Sequence, residues 1–195
     1  RRAISILRNH QDELKPEHLG DLAHAEMDLG SLLMDPDFPD RAEEAEQLLQ
    51  SAVKHFDKLQ AAHEAATLQL ARSKKSLGEG LSQLNRLQDA GAVLVEALQI
   101  IRPLVAKQPD SVTLHLEHGE ILSTLSFVCE RQEDRLESLR RAIRSHQAAL
   151  KLQPGNRRAR ASLCKDYFTL AELLSGEAEK VQEAWANSIR YARGL

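Results

Sequence analysis

The chain has 195 residues, of which 42% are hydrophobic, only 4% aromatic and 28% charged, with a net charge of −3. That length allows a sizeable core, and apolar content dominated by Leu and Ala suits helices and is poor for sheets. The near-neutral balance excludes a global field that draws nucleic acid or an anionic membrane, and no apolar run approaches the ~20 residues of a membrane span.

The chain opens at Arg1-Arg2-Ala3 without a Met. A first helix is predicted over 2–14. Its Ala3-Ile4 matches Ala52-Val53, Ala97-Leu98 and Ala149-Leu150 further on, so residues 1–14 read as the second helix of a preceding, partial unit. An uncovered apolar face there predicts self-association through this helix. Helices over 17–34 and 40–59 follow, parted by "MDPDFPD", where Pro36 and Pro39 block helix. Asp35, Asp37 and Asp40 lie in that loop, but the central Gly of a calcium loop is missing, which favours a polar connector. Helices are expected over 62–84 and 87–107, with Pro103 predicting a kink or an early end. Further helices are predicted over 111–131, 134–152, 156–175 and 178–193. The turns "QPDS" and "QPGN" offer Asp110 or Asn156 as helix caps.

One pattern recurs along these helices. Leu22-Ala23, Leu29-Gly30 and Leu33 are repeated at Leu70-Ala71, Leu77-Gly78 and Leu81, and again at Leu163-Cys164, Leu170-Ala171 and Leu174. Between them Leu125-Ser126 with Cys129 is a weaker copy, in which His118 takes the leading Leu position. The small residues Gly30, Gly78, Ser126 and Ala171 are 48, 48 and 45 residues apart. Downstream of each comes Ala45, Ala90, Ala142 or Ala184, and seven residues later Ala52, Ala97, Ala149 or, breaking the rule, Tyr191. Seven residues are about two helical turns, so each pair shares a face. Each unit is therefore two helices, and the small residue is where the second approaches the first. Gly80 has no counterpart in the other units.

At these residues the chain resembles the tetratricopeptide repeat (TPR) family, whose unit is an antiparallel helix pair with Leu-Gly in the first helix, Ala twice in the second and Pro after it. Gly78 and Ala90, and Ala142, Ala149 and Pro154, fall at the family's separations. The family's Trp position holds Glu26, Lys74, Leu122 and Tyr167, and its second-helix aromatic position holds Leu49, Leu94, His146 and Ser188. The units are longer than the usual ~34 residues, as in repeat regions of multidomain bacterial proteins. The resemblance implies an all-α, right-handed superhelical solenoid in one domain, with helix-pair units over 17–59, 62–107, 111–152 and 156–193.

Chemistry-bearing clusters have bland readings. Cys129 and Cys164 make no disulfide framework, which points to a reduced, cytoplasmic setting and two buried thiols. His115 and His118, with Glu117 and Glu120 nearby, are three apart on a helix, yet a solvated polar face is favoured over a metal pair. "NRRAR" at 156–160 reads as a solvated basic face rather than a nucleic-acid contact. No nucleophile has a recognisable partner motif and no Gly-rich phosphate loop follows a strand, so neither catalysis, cofactor nor metal is expected.

Surface shape remains. The resemblance implies that first-helix residues three before and one after each small residue face a concave groove. These are Met27 and Ser31, Lys75 and Glu79, Ser123 and Phe127, Phe168 and Glu172, with His24, Arg72, Glu120 and Lys165 one turn earlier. Phe127 and Phe168 are either ligand anchors or inter-repeat core. A carboxylate clamp known in the family needs Asn after the small residue; Ser31, Glu79, Phe127 and Glu172 stand there instead, which disfavours chaperone C-terminal tails. The expected function is a non-catalytic scaffold binding a protein or peptide in that groove. The alternative is a regulatory or substrate-recruiting segment of a larger bacterial enzyme, such as a serine/threonine kinase.

Overall fold

The computed structural model describes residues 14–34, 39–60 and 64–193, together with Ile4 and Leu7. Every regular element among them is helical: α1 (Pro16–Leu33), a 3-10 turn (Pro39–Arg41), α2 (Ala42–Gln60), α3 (Glu64–Gln83), α4 (Leu87–Lys107), α5 (Val112–Val128), α6 (Gln132–Leu152), α7 (Arg157–Leu173) and α8 (Ala178–Ala192). The rest of the predicted helix over 2–14, the self-association assigned to it, and Asp35 and Asp37 lie outside the described residues. None of the described helices is long and apolar enough to cross a membrane.

Two compact units divide the chain, Arg1–Ile100 and Ile101–Leu195. In the first, α1 packs on α2, α2 on α3, and α1 also touches α3. Its core holds Ala23, Phe56, Leu59, Ala66 and Leu70, with Leu19, Val53 and Ile100 against them. In the second unit α5 packs on α6, α6 on α7 and α7 on α8, with α5 touching α7. Leu139, Ile143 and Leu163 form one core there, and Leu116, Ala149 and Ala159 another. Sequential packing across short turns, with first helix meeting next first helix, is the pattern of a helix-pair repeat.

The periodic small residues do what their spacing predicts. Ala45, Ala52, Ala90, Ala97, Ala142, Ala149 and Ala184 are all buried. A Cβ at Gly30 would lie 2.8 Å from Leu49 Cγ and 3.1 Å from the Ala45 carbonyl; one at Gly78 would lie 2.7 Å from Leu94 Cγ. Both contacts are inside van der Waals distance. Gly80 also gains an explanation, because a Cβ there would sit 2.6 Å from Met34 Cε. The third unit has a further close approach. Ser126 and Ala171 are buried, and a close approach lies at Gly119, where a Cβ would meet the His146 ring at Nε2. Gly119 stands seven residues before Ser126. In this pair the second-helix side chain of His146 reaches the earlier small position, and Ser188 likewise meets Cys164.

Helix ends follow local chemistry, with three corrections. Asn156 caps α7, accepting from Ala159 N–H at 2.8 Å. The cap of α5 is Ser111, not Asp110: Ser111 is the last extended residue, and its hydroxyl accepts from Leu114 N–H. Pro103 does not end α4 early; only the last turn lies beyond it, so the missing N–H removes one bond near an end that frays anyway. Helix α5 stops at Val128 because Cys129 turns extended. Neither Cys129 nor Cys164 is fully buried; both are half-buried free thiols, and partial burial raises the Cys129 pKa. Between α3 and α4, Asn85 adopts φ 59° and Arg86 N–H reaches back to the Leu81 carbonyl, a left-handed stop that Asn tolerates.

Candidate partner-binding site

The residues assigned to a groove fall into two sets, one per unit. In the first unit His24 is half-buried with its ring edge-on to Phe56, centroids 4.9 Å apart. Both line an apolar cavity of about 570 Å³ with Gly20, Leu59, Ala66 and Gln69. Met27 Sδ accepts from the Ser73 hydroxyl at 3.4 Å, so Met27 joins α1 to α3. Arg72, Lys75 and Glu79 are half-buried, and Lys75 pairs with Glu79 at 4.0 Å.

The second set gives a clearer surface. Phe127 on α5 and Phe168 on α7 are 42% and 43% exposed, so both are surface residues rather than core. Lys165 lies over the Phe127 ring, 5.4 Å from its centroid, a cation–π distance. Phe168 meets Trp185 edge-on at 4.9 Å, and Trp185 is itself 39% exposed. Glu172 is exposed one turn beyond Phe168. Trp185 is the residue that the sequence pattern missed: it follows the buried Ala184 directly, and no groove position is assigned to the second helices. It is the chain's single tryptophan, which was a signal in itself.

Ser123 belongs elsewhere. It is buried, and its hydroxyl donates to Asp166 Oδ1 at 2.6 Å, while His146 Nδ1 meets Asp166 Oδ2 at 2.6 Å. These are the residue types of a nucleophilic triad in the wrong order: the carboxylate stands between the two, and the imidazole does not reach the hydroxyl. The cluster ties α5, α6 and α7 together. Glu26 in the first unit plays a similar part. Fully buried, it accepts from Ser51 at 2.9 Å and meets His55 Nδ1 at 2.9 Å.

The clusters read above as solvated faces are instead tied to partners, with His115 and His118 half-buried and Glu117 buried. His115 Nε2 lies 2.7 Å from the Pro109 carbonyl, and His118 Nδ1 lies 2.8 Å from Ser145 Oγ. Burial lowers the His118 pKa from 6.5 to about 4, helped by Arg141, Arg102, His115 and His146. Among the described residues no group of three His, Cys, Asp or Glu could hold a metal ion. Within "NRRAR", Arg158 bridges Glu117 at 3.0 Å and Glu120 at 2.7 Å, which raises its pKa. Arg160 donates to the Pro154 carbonyl.

The described fold is a TPR-like all-α helical repeat. No family model matches the chain, and no curated protein matches it. Among solved structures it is similar to MamA, at 17% identity over 98% of this chain and 86% of that one, TM-score 0.46. It is similar to BtubC (BKLC) from P. vanneervenii, at 16% identity over 98% and 87%, TM-score 0.49. A third is a thermophilic TPR protein in Thermus thermophilus, TTC0263, at 18% identity over 89% and 98%, TM-score 0.43.

Proposed function

We propose that the chain is a non-catalytic interaction scaffold that docks a polypeptide on the aromatic surface of its second unit. The observation that carries this reading is the exposure of Phe127, Phe168 and Trp185 together, in a chain with only 4% aromatic residues. Exposed aromatics on rigid helices offer large contact area at low ordering cost, and such residues dominate binding energy at protein interfaces. The buried polar clusters support the same reading, because their hydrogen bonds are spent between helices.

Selection from a random peptide library displayed on phage tests this. Peptides enriched on the intact chain should bind the Phe127→Ala/Phe168→Ala variant at least about tenfold more weakly, since truncating one hot-spot side chain typically costs about 2 kcal/mol. Enrichment that is indifferent to both phenylalanines, in a variant with unchanged helical circular dichroism, overturns the assignment.

A further inference from the structure

The chemistry around the aromatic surface says what kind of polypeptide fits it, an inference that rests on the docking role proposed above. Arg157, Ala161, Lys165, Phe168 and Glu172 are exposed on α7, and their spacing of three or four residues puts them along one face. Among the described residues neither Arg157 nor Lys165 meets a carboxylate, and Lys165 is held over Phe127 instead. Arg158, next in sequence, has two carboxylates. The first turn of α7 contains no acidic residue, so the positive end of the helix dipole adds to Arg157. The face therefore runs from two free cations, through the Phe127, Phe168 and Trp185 rings, to the carboxylate of Glu172. Ile189, 50% exposed one turn beyond Trp185, widens its apolar part.

We propose that the occupant is an extended acidic peptide segment carrying one bulky apolar side chain. The apolar side chain packs into the corner between Phe168 and Trp185. Its carboxylates lie over Lys165 and Arg157, and none lies on the Glu172 side, where like charge repels. The register follows from helix geometry. Lys165 is about 4.5 Å and Arg157 about 16 Å along the axis from Phe168. An extended chain rises about 3.3 Å per residue. Successive side chains of an extended chain point to opposite faces, and the Lys165 and Arg157 side chains lean toward the helix N-terminus, so carboxylates are required about two and about six residues from the apolar anchor, on one side of it only.

Trp185, as the single tryptophan, reports on this corner by its fluorescence. The full chain is titrated with a synthetic peptide bearing one Leu and Glu at those two spacings, with the same peptide carrying Gln for Glu, and with one carrying Lys for Glu. The Glu peptide should give a saturable change, weakened about tenfold or more by Gln, by added salt, and by the Arg157→Glu/Lys165→Glu variant. Both substituted positions are exposed, and unchanged circular dichroism verifies the fold. Equal binding of the Gln peptide, better binding of the Lys peptide, no binding of the Glu peptide, or indifference to charge reversal overturns the proposal. Binding of the Gln or Lys peptide at least as tight as that of the Glu peptide, and abolished by Phe168→Ala, overturns the acidic assignment and leaves the docking role standing. Failure of the docking role itself is read separately, from library peptides indifferent to both phenylalanines.

Discussion

Mid-helix glycine costs about 1 kcal/mol relative to alanine, so Gly30→Ala would stabilise an isolated helix. In this fold the added methyl meets Leu49 Cγ at 2.8 Å and the backbone carbonyl of Ala45 at 3.1 Å, and a backbone atom cannot swing away. Overpacking of about 1–3 kcal/mol offsets the propensity gain, and Gly30→Ala should lower stability in urea unfolding. Gly155 is the control: nothing lies within 4 Å of a Cβ there, and Gly155→Ala should be within about 0.5 kcal/mol of neutral. A second prediction concerns His118, which the fold holds neutral with its pKa lowered to about 4. Between the unfolded value of 6.5 and that folded value, the unfolded chain takes up the proton and the native chain does not. Its contribution is therefore complete above 6.5 and lost as pH falls toward 4. His118→Gln should flatten the decline in unfolding free energy between about pH 7 and pH 5. At this scale the sequence shows the glycine contacts because identical spacing at Gly30 and Gly78 leaves packing as their common cause. It hides Gly119, whose partner His146 is 27 positions away on the next helix and depends on a side-chain direction that no periodicity encodes.

At the scale of helices, apolar faces bring neighbours together and buried acids fix their register. Asp166 on α7 is engaged by Ser123 of α5 and His146 of α6, so one carboxylate joins three helices. Asp166→Ala strands a buried imidazole and a hydroxyl, and should cost about 3–5 kcal/mol in chemical denaturation, the usual range for removing one member of a buried pair. Ser123→Ala removes one hydrogen bond while His146 still meets the carboxylate, and should cost about 1 kcal/mol. Equal losses for the two would mean that the carboxylate is not the hub. Glu26 shows why such groups escape a reading of the sequence. A lone acid on an apolar stripe reads as a departure from the repeat, and only the placement of Ser51 and His55 opposite turns it into a satisfied core residue. The helices themselves were legible to within a few residues, because Leu and Ala recur with the helical period. Their ends moved where a hydroxyl or one extended residue decided the boundary, as at Ser111 and Cys129.

For the molecule as a whole, repeat architecture makes stability local. In stacked helix pairs each element contacts its neighbours in sequence, and total stability is approximately a sum of unit and interface terms. The two compact units here have separate cores, and Trp185 lies in the second. Destabilising one unit should therefore not be felt equally by every probe. Gly78→Leu drives a full side chain into Leu94 and strains only the first unit. In a urea titration, loss of helical circular dichroism should begin at lower denaturant than in the unsubstituted chain, while the Trp185 fluorescence transition moves less. Asp166→Ala should reverse the order, shifting the fluorescence transition more than the first part of the dichroism curve. Coincident shifts in both probes for both variants would make the chain one cooperative body. The same comparison bears on the aromatic surface. If the second unit keeps its own transition when the first is weakened, then Phe127, Lys165, Phe168 and Trp185 are held by α5, α7 and α8 alone. Gly78→Leu should then leave affinity for an acidic peptide within about twofold of the unsubstituted chain, as expected for energetically independent sites.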